Sequence, residues 1–479
     1  MSTFLHSRFL LIAAAVLFLA GCKVGRDYKG TGVTAPAGYE RGTSASDTTA
    51  LAGLAGNDTL DWWRLFQDPV LDVLIREGLK NNRDLNTAIL NIDRAATLLA
   101  ISKADIAPKL NVKGEYTYGN YPFLFDDAAR SSAFGGAAVS WELDIWGRIR
   151  RQNEAARAEL LGQQYAVRAV QLELISAVAS TYFELLEYRT DLDISQRTYA
   201  LRDSMYLIID ARFRAGIAAE IDLDQARIQR AIAATSIPIQ ERRIAFTENA
   251  LSVLLGRPPG RIATGAALAD QPAVPEIPVG LPSELLQRRP DVLASEQTII
   301  AQNALTGAAF AQRFPTLSLT GLLGAASTDL SGFTSGATAY SISGGLLGPV
   351  FHWGQNRRRV EVERIKTEQA VLQYEQTVLD ALRDVEDALV AIETLRAEEV
   401  ARQAHVEAAV HAEFLSKERY DKGVTSYLES LESQRQAFES QLGLASVQRA
   451  LLSSYVRLYK ALGGGWATEQ DKKAAEEQE

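Results

Sequence analysis

Residues 144–151 read DIWGRIRR, and residues 351–358 read FHWGQNRR. Trp-Gly followed by a basic cluster is written twice, 207 positions apart, and the same offset joins many other pairs. Asp84 matches Asp291, Pro108 matches Pro315, Leu110 matches Leu317 and Arg212 matches Arg419. Gly216 matches Gly423, and Leu255-Gly256 matches Leu462-Gly463. One gapless register over most of a chain is a duplication. The arginines raise a second question, because they open a long helix whose macrodipole prefers acids there.

Each copy has the same order of elements. A helical stretch over about 68–107 stops at Pro108, and KLNVKGEYTYG then alternates with period two. Leu110, Val112, Gly114, Tyr116 and Tyr118 take one side, with polar residues on the other. A second alternating run lines up Ala137, Val139, Trp141, Leu143 and Ile145. Copy two repeats this with Leu317, Leu319 and Leu323, then with Tyr340, Ile342, Leu346 and Val350. After each Trp-Gly the pattern turns helical: residues 148–215 hold no proline and one glycine, and 355–422 hold neither. A helix of that length reaches about 100 Å. Val371, Val378, Val385 and Ile392 recur every seven residues, with Tyr374, Ala381, Ala388 and Leu395 at d-like positions, as in a coiled coil. Leu372, Leu379, Leu382 and Leu389 widen that seam to two sides. Gly216 and Gly423 mark the turns where a second helix returns.

These spacings divide the chain into a leader at 1–21 and an N-terminal extension at 22–60. The first repeat follows at 61–256, with strands near 109–121 and 132–146 and a helical hairpin near 148–255. A Pro-rich connector at 257–285 leads to the second repeat at 286–466, with strands near 316–328 and 338–353 and a hairpin near 355–462. The polar tail at 467–479 is expected to be disordered.

Composition narrows the function. A formal net charge of −9 gives no basic excess for nucleic acid. Four histidines and one cysteine leave no room for a disulfide framework or a Cys-rich zinc site. No H-E-x-x-H, P-loop or G-x-S-x-G occurs, so the expectation is a non-enzyme without cofactor or metal. The apolar run from Phe9 to Ala20, preceded by His6 and Arg8, is too short to span a bilayer and reads as a signal peptide. LAGC at 19–22 resembles the lipobox of bacterial lipoproteins, which implies cleavage before Cys22 and acylation of that residue. Lys23, where an inner-membrane retention signal has Asp, points to the outer membrane.

The four strands match transmembrane β-strands in length and pattern. No mature segment offers 18 uninterrupted apolar residues, so a helical span is excluded at this level. Four strands cannot close a barrel, and open edges are intolerable in lipid, so copies must share one. Pattern alone leaves eight and twelve strands equally open.

WWRLFQDPVLDVLIREGLKNN, the two P-x-L strand entries, LDIWGR, RYDKGVTSYLESLE and above all ALGGGW (461–466) resemble the TolC-type outer-membrane efflux channels. The likeness is to the lipoprotein branch that serves resistance-nodulation-division pumps, and it covers the chain from about residue 22 to Trp466. It implies a mainly α fold with a β-barrel: a homotrimer with a twelve-stranded barrel, four strands per chain, continued by a coiled-coil periplasmic tunnel. The implied partners are a periplasmic adaptor, an inner-membrane pump and outer-membrane lipid. The implied activity is export of drugs, dyes, toxic compounds or metals. A type I protein-secretion channel and a structural coiled-coil envelope lipoprotein are the alternatives; a diffusion porin leaves the long hairpins unexplained.

The resemblance also assigns residues. Glu429 and Glu432 match acids at the periplasmic constriction, Leu428 an adjacent apolar ring, and Arg435 a partner one turn on. From the residues alone, the two acids are equally ordinary solvated helix positions. Gly216 and Gly423 read as tip turns or as adaptor-docking points. Tyr427, Asp222 and Asp224 are candidates for bonds locking adjacent hairpins, and Thr425 stands where some members carry a locking arginine. At the junctions, Trp146 and Trp353 suit a membrane interface. Arg148, Arg150, Arg151, Arg357, Arg358 and Arg359 are expected to face anionic headgroups there.

Overall fold

The computed structural model describes residues 23–30, 32, 36, 38–39, 62–120, 130–272, 274, 282–328 and 337–464. The leader, Cys22, most of the extension, Trp466 and the tail lie outside them. The chain folds into two compact units. One gathers Met1–Val33, Leu90–Tyr165 and Ala294–Gln376; the other gathers Thr34–Ile89, Ala166–Leu293 and Thr377–Glu479.

Helices α1 (Pro69–Asn81) and α2 (Arg83–Ala104) lead into strands β1 (Lys109–Gly119) and β2 (Arg130–Leu143). Then come α3 (Arg148–Arg214) and α4 (Glu220–Leu254). After the short α5 (Pro282–Arg288), α6 (Pro290–Ala311), β3 (Thr316–Ser327), β4 (Ala337–Leu347), α7 (Gln355–Asp421) and α8 (Tyr427–Ala461) repeat the series. Both ends of α6, α7 and α8 lie 207 residues beyond those of α2, α3 and α4. The duplicated helix–strand–strand–helix–helix unit expected from sequence is the architecture observed.

In the first unit the strands form one antiparallel sheet in the order β1-β2-β3-β4. Its register makes a single apolar face from the four alternating runs. Leu110 lies opposite Val139, and Val112 opposite Ala137. Ala137 meets Leu323, and Trp141 meets Leu319. Leu323 meets Tyr340, and Leu317 meets Leu346. Most of these side chains are open, with Val112 at 92% and Ile342 at 88% exposure, as a lipid-facing surface requires. β2 ends at Leu143 and β4 at Leu347, short of the expected 146 and 353. In copy one the chain turns at Asp144, where the Gly147 N–H reaches the Asp144 carbonyl. In copy two Gly348-Pro349 follows the strand, and proline has no N–H for the ladder.

The second unit is helical. Val378, Ala381, Val385, Ala388 and Ile392 are all buried, as is Tyr374 on the part of α7 that belongs to the first unit, so the heptad seam of α7 is a packing seam. Leu372 and Leu379 beside it stay more than half exposed. Trp62 stacks on Tyr459 at 4.8 Å, and Phe66 meets Phe183 edge-on. Asp68 caps α1 through the Val70 and Leu71 N–H groups and accepts the Tyr182 hydroxyl at 2.6 Å. Burial and that carboxylate raise the Tyr182 pKa. The two copies close on one plan. Asn82 Nδ2 donates to the Leu254 carbonyl, and Arg289, 207 residues on, donates to the equivalent carbonyl of Ala461. α3 holds a window of 18 residues apolar enough to cross a membrane, so composition alone does not exclude a helical span. More than half of that window is buried inside the protein, which makes α3 a core helix.

Candidate functional site

The tips are built by backbone geometry. α3 ends with Gly216 at φ 72°, its N–H bonded to Phe213 O and that of Ile217 to Arg212 O. α7 ends identically, with Gly423 at φ 72°, Gly423 N–H to Tyr420 O and Val424 N–H to Arg419 O. This is the Schellman pattern, in which the left-handed residue is normally glycine. A Cβ at either glycine would meet nothing within 4 Å, so conformation alone explains the residue.

Above the turns, Met205, Ile209, Leu223, Ala226, Tyr420 and Tyr427 form a buried cluster that joins the two hairpins of one chain. Tyr420 and Tyr427 lie 5.6 Å apart, and the Arg212 guanidinium sits 5.0 Å over the Tyr420 ring. Burial pushes the Tyr427 hydroxyl up to about 12, with Tyr420 and the Asp222 charge adding to it and Arg202 opposing. Asp222 thus lies within electrostatic reach of Tyr427. Within the chain Asp224 pairs with Arg227 of its own helix at 3.2 Å.

The two acids expected at the constriction, Glu429 and Glu432, occupy the first turns of α8. Leu428 is 58% exposed. Glu429 accepts the Thr425 hydroxyl and lies 3.7 Å from the Arg419 guanidinium. The helix N-terminus favours its charge. Glu432 binds Arg435 at 2.6 Å and accepts Gln436 Nε2 at 3.0 Å. Arg435 reaches on to Glu439 at 2.9 Å, so its bonds within the chain all run along its own helix. Arg435, then Gln436, hold the Glu432 carboxyl below the usual glutamate range.

Sequence reasoning missed Arg202. It is buried on α3, donates to the Gln229 carbonyl of α4 at 3.1 Å and lies 5.3 Å from the Phe438 ring of α8. A lone arginine within a helix of mixed polarity carries no periodic signal that marks it as buried. Arg419 and Thr425, which hold Glu429, were legible only as tip residues.

The junction residues diverge. Trp146 stacks on Phe314 at 4.7 Å and donates its indole N–H to the Pro315 carbonyl at 2.7 Å. Trp353 is 85% exposed and touches Phe351 edge-on. Arg148 pairs with Glu142 at 2.9 Å, and Arg150 with Asp144 at 3.4 Å. Arg151 is fully buried. The expectation that six arginines face headgroups is not met in copy one, where Arg151 is buried and the partly exposed Arg148 and Arg150 are paired with Glu142 and Asp144. Arg357, Arg358 and Arg359 remain exposed and form no ion pair among the described residues.

A lipid-suited four-stranded sheet, two helical hairpins and exposed acids at one tip define the protomer of an outer-membrane channel. The chain belongs to the outer membrane efflux protein family, whose model matches residues 74–257 and 281–464. Those segments begin and end 207 residues apart, in the register of the duplication. The chain is 34% identical over 473 residues to the solvent efflux pump outer membrane protein SrpC of Pseudomonas putida, covering 95% of this chain and 98% of that one. It is 31% identical over 461 residues to the cation efflux system protein CusC of Escherichia coli, again covering 95% and 98%. The solved outer-membrane channel OprN superposes with a TM-score of 0.84 at 27% identity, covering 93% of this chain and 100% of that one. Its solved neighbours are trimeric channels, a barrel in the outer membrane with a periplasmic helical tunnel. This protein is likewise an outer-membrane efflux component.

Proposed function

We propose that the protein is the trimeric exit duct of a tripartite small-molecule efflux system, gated at the tip of α7 and α8. The observation that carries this reading is the exposed Leu428, Glu429 and Glu432 on the turns after Gly423, clear of the buried tyrosine cluster. In a trimer each position becomes a ring of three, and carboxylate rings concentrate cations and repel anions. Leu372 and Leu379, with the open edges of β1 and β4, are surfaces that neighbouring copies cover. The exposed hairpin tips at Gly216 and Gly423 suit docking by a periplasmic adaptor coupled to an inner-membrane pump. No catalytic step is part of this reading. Relatives named for a solvent pump and a cation system support small molecules and ions as the cargo, and in this reading the duct leaves the choice to its pump.

Planar-bilayer recording tests the gate. The double variant Glu429→Ala/Glu432→Ala is expected to conduct more and to lose most of its cation selectivity. Wild-type conductance and selectivity in that variant would remove the gate from these residues.

A further inference from the structure

Arg151 is the largest fully buried charged side chain among the described residues. Its side chain is 1% exposed, yet its repeat partner Arg358 lies in the open. What covers it is the N-terminal segment. Arg151 Nε donates to the Val24 carbonyl at 3.2 Å and Nη2 to the Gly25 carbonyl at 2.9 Å. Nη1 reaches Asp27 and Glu154, both at 2.9 Å. Lys23 closes the ring, at 2.8 Å from Glu154 and 3.3 Å from Asp27. The segment and α3 each bring one cation and one anion, and with the segment seated each charge faces an opposite one across the contact.

The groove fits this occupant sterically as well. Gly25 has φ 103°, and a Cβ there would stand 2.9 Å from the Gly307 Cα. A Cβ on Gly307 would lie 2.8 Å from Arg151 Nε. Position 100, the counterpart of Gly307 in copy one, is alanine. A Cβ on Gly147 would come within 3.2 Å of the Lys23 Cα. Two further bonds finish the seam, from Val24 N–H to Trp146 O and from the Asn303 side-chain Nδ2 to Arg26 O at 3.0 Å. The Tyr28 hydroxyl donates to Glu296 at 3.0 Å.

We propose that Lys23–Tyr28 is a docked strap, seated by Arg151, which fixes the lipid-modified N-terminus against the first strand-to-helix turn. The proposal rests on the reading of Cys22 as the acylated residue. Lys23 lies against Gly147, so the described strap begins at that turn. Arg151 acts as a positioning residue. Its burial in copy one and the exposure of Arg358 in copy two follow from the chain having one N-terminus for two repeats.

Limited trypsin digestion of the full chain extracted in detergent tests it, because the strap carries cleavable bonds after Lys23 and Arg26. Cleavage tracks the fraction of time a segment is open. Wild type is expected to resist there, and Arg151→Met to be cut at least about tenfold faster at unchanged acylation, with Arg151→Lys intermediate. Should Arg151→Met fail to fold, Gly25→Val unseats the strap without touching either repeat and is expected to give the same cleavage. Wild type cut as fast as the variants, or variants as resistant as wild type, would overturn the strap. The mass of the mature N-terminal peptide decides the other premise: an unmodified Cys22 would refute the fixed lipid anchor while leaving the docking result intact.

Discussion

The two strand-to-helix junctions began as copies and now sit in different environments. Gly147 and Gly354 keep nearly the same left-handed backbone, φ 75° and 78°. Around Gly147 the chain has built a small core, with Trp146 stacked and bonded, Asp144 capping α3 and Arg151 sealed under the strap. Around Gly354 little closes over. Trp353 itself is at φ 50°, Phe351 is exposed, and the arginines are free. The same split recurs far along the hairpins, where Asp191 is buried and its counterpart Glu398 is a surface residue paired with Arg402. Duplication preserved the order and bounds of the long helices, while burial diverged at these paired positions.

The largest effect expected from this contrast is at the tryptophans. Trp146→Ala loses a ring stack and a hydrogen bond in a half-buried site and should destabilise by about 3 kcal/mol. Trp353→Ala should cost under about 1 kcal/mol, since its ring is mostly solvent-facing in the chain. Thermal unfolding of the detergent-solubilised protein checks both. Equal shifts would mean that the junctions are energetically equivalent after all.

Asp191 sharpens the contrast through pH. Burial, then the Glu187 charge on the same helix, push Asp191 up to about 7, with Arg243 on α4 opposing. Its Oδ1 has no hydrogen-bond partner among the described residues. A carboxyl whose folded pKa is raised binds its proton more tightly when folded. Stability therefore falls as pH rises from about 4 to about 7 and is flat above. Asp191→Asn should flatten that slope and raise stability by about 2 kcal/mol at pH 8, with little change at pH 4. Glu398→Gln should alter stability by only about 0.3 kcal/mol. Urea unfolding at the two pH values separates these outcomes.

Much of this was legible in advance, for identifiable reasons. Period two in KLNVKGEYTYG and the seven-residue spacing from Val371 to Ile392 are backbone periodicities, and they gave the strands, their lipid face and the buried seam. The glycine tips were legible because only the left-handed turn needs Gly216 and Gly423. The partners of charged side chains were not. Nothing in GRIRR distinguishes Arg151, bound to residues more than a hundred positions away, from Arg148, bound to a neighbour. The strap depends on long-range contacts between Gly25, Gly307 and Arg151, and no local pattern encodes such a triple. At the tip of α7 and α8, Glu429 and Glu432 are both exposed, but spacing could not show that Thr425 and Arg419 hold the first.

The arginines at the helix starts supply the finest test. In copy one they are tolerated because Asp144 supplies the negative charge that the helix N-terminus favours. Its carboxylate accepts the Ile149 N–H at 3.0 Å and the Arg150 N–H at 2.9 Å, and the Arg150 guanidinium folds back onto the same residue. Asp144→Ala should therefore cost about 1 kcal/mol, the usual worth of an N-terminal cap. Copy two has Phe351 at that position, and its helix begins differently, with the Gln355 N–H bonded to the His352 carbonyl at 2.8 Å. With Trp353 in the left-handed region, the chain before it follows another path. Phe351→Asp should consequently restore no cap and leave stability within about 0.5 kcal/mol. A gain of about 1 kcal/mol from Phe351→Asp would show that the junctions still share one backbone path, and that only their side chains have parted.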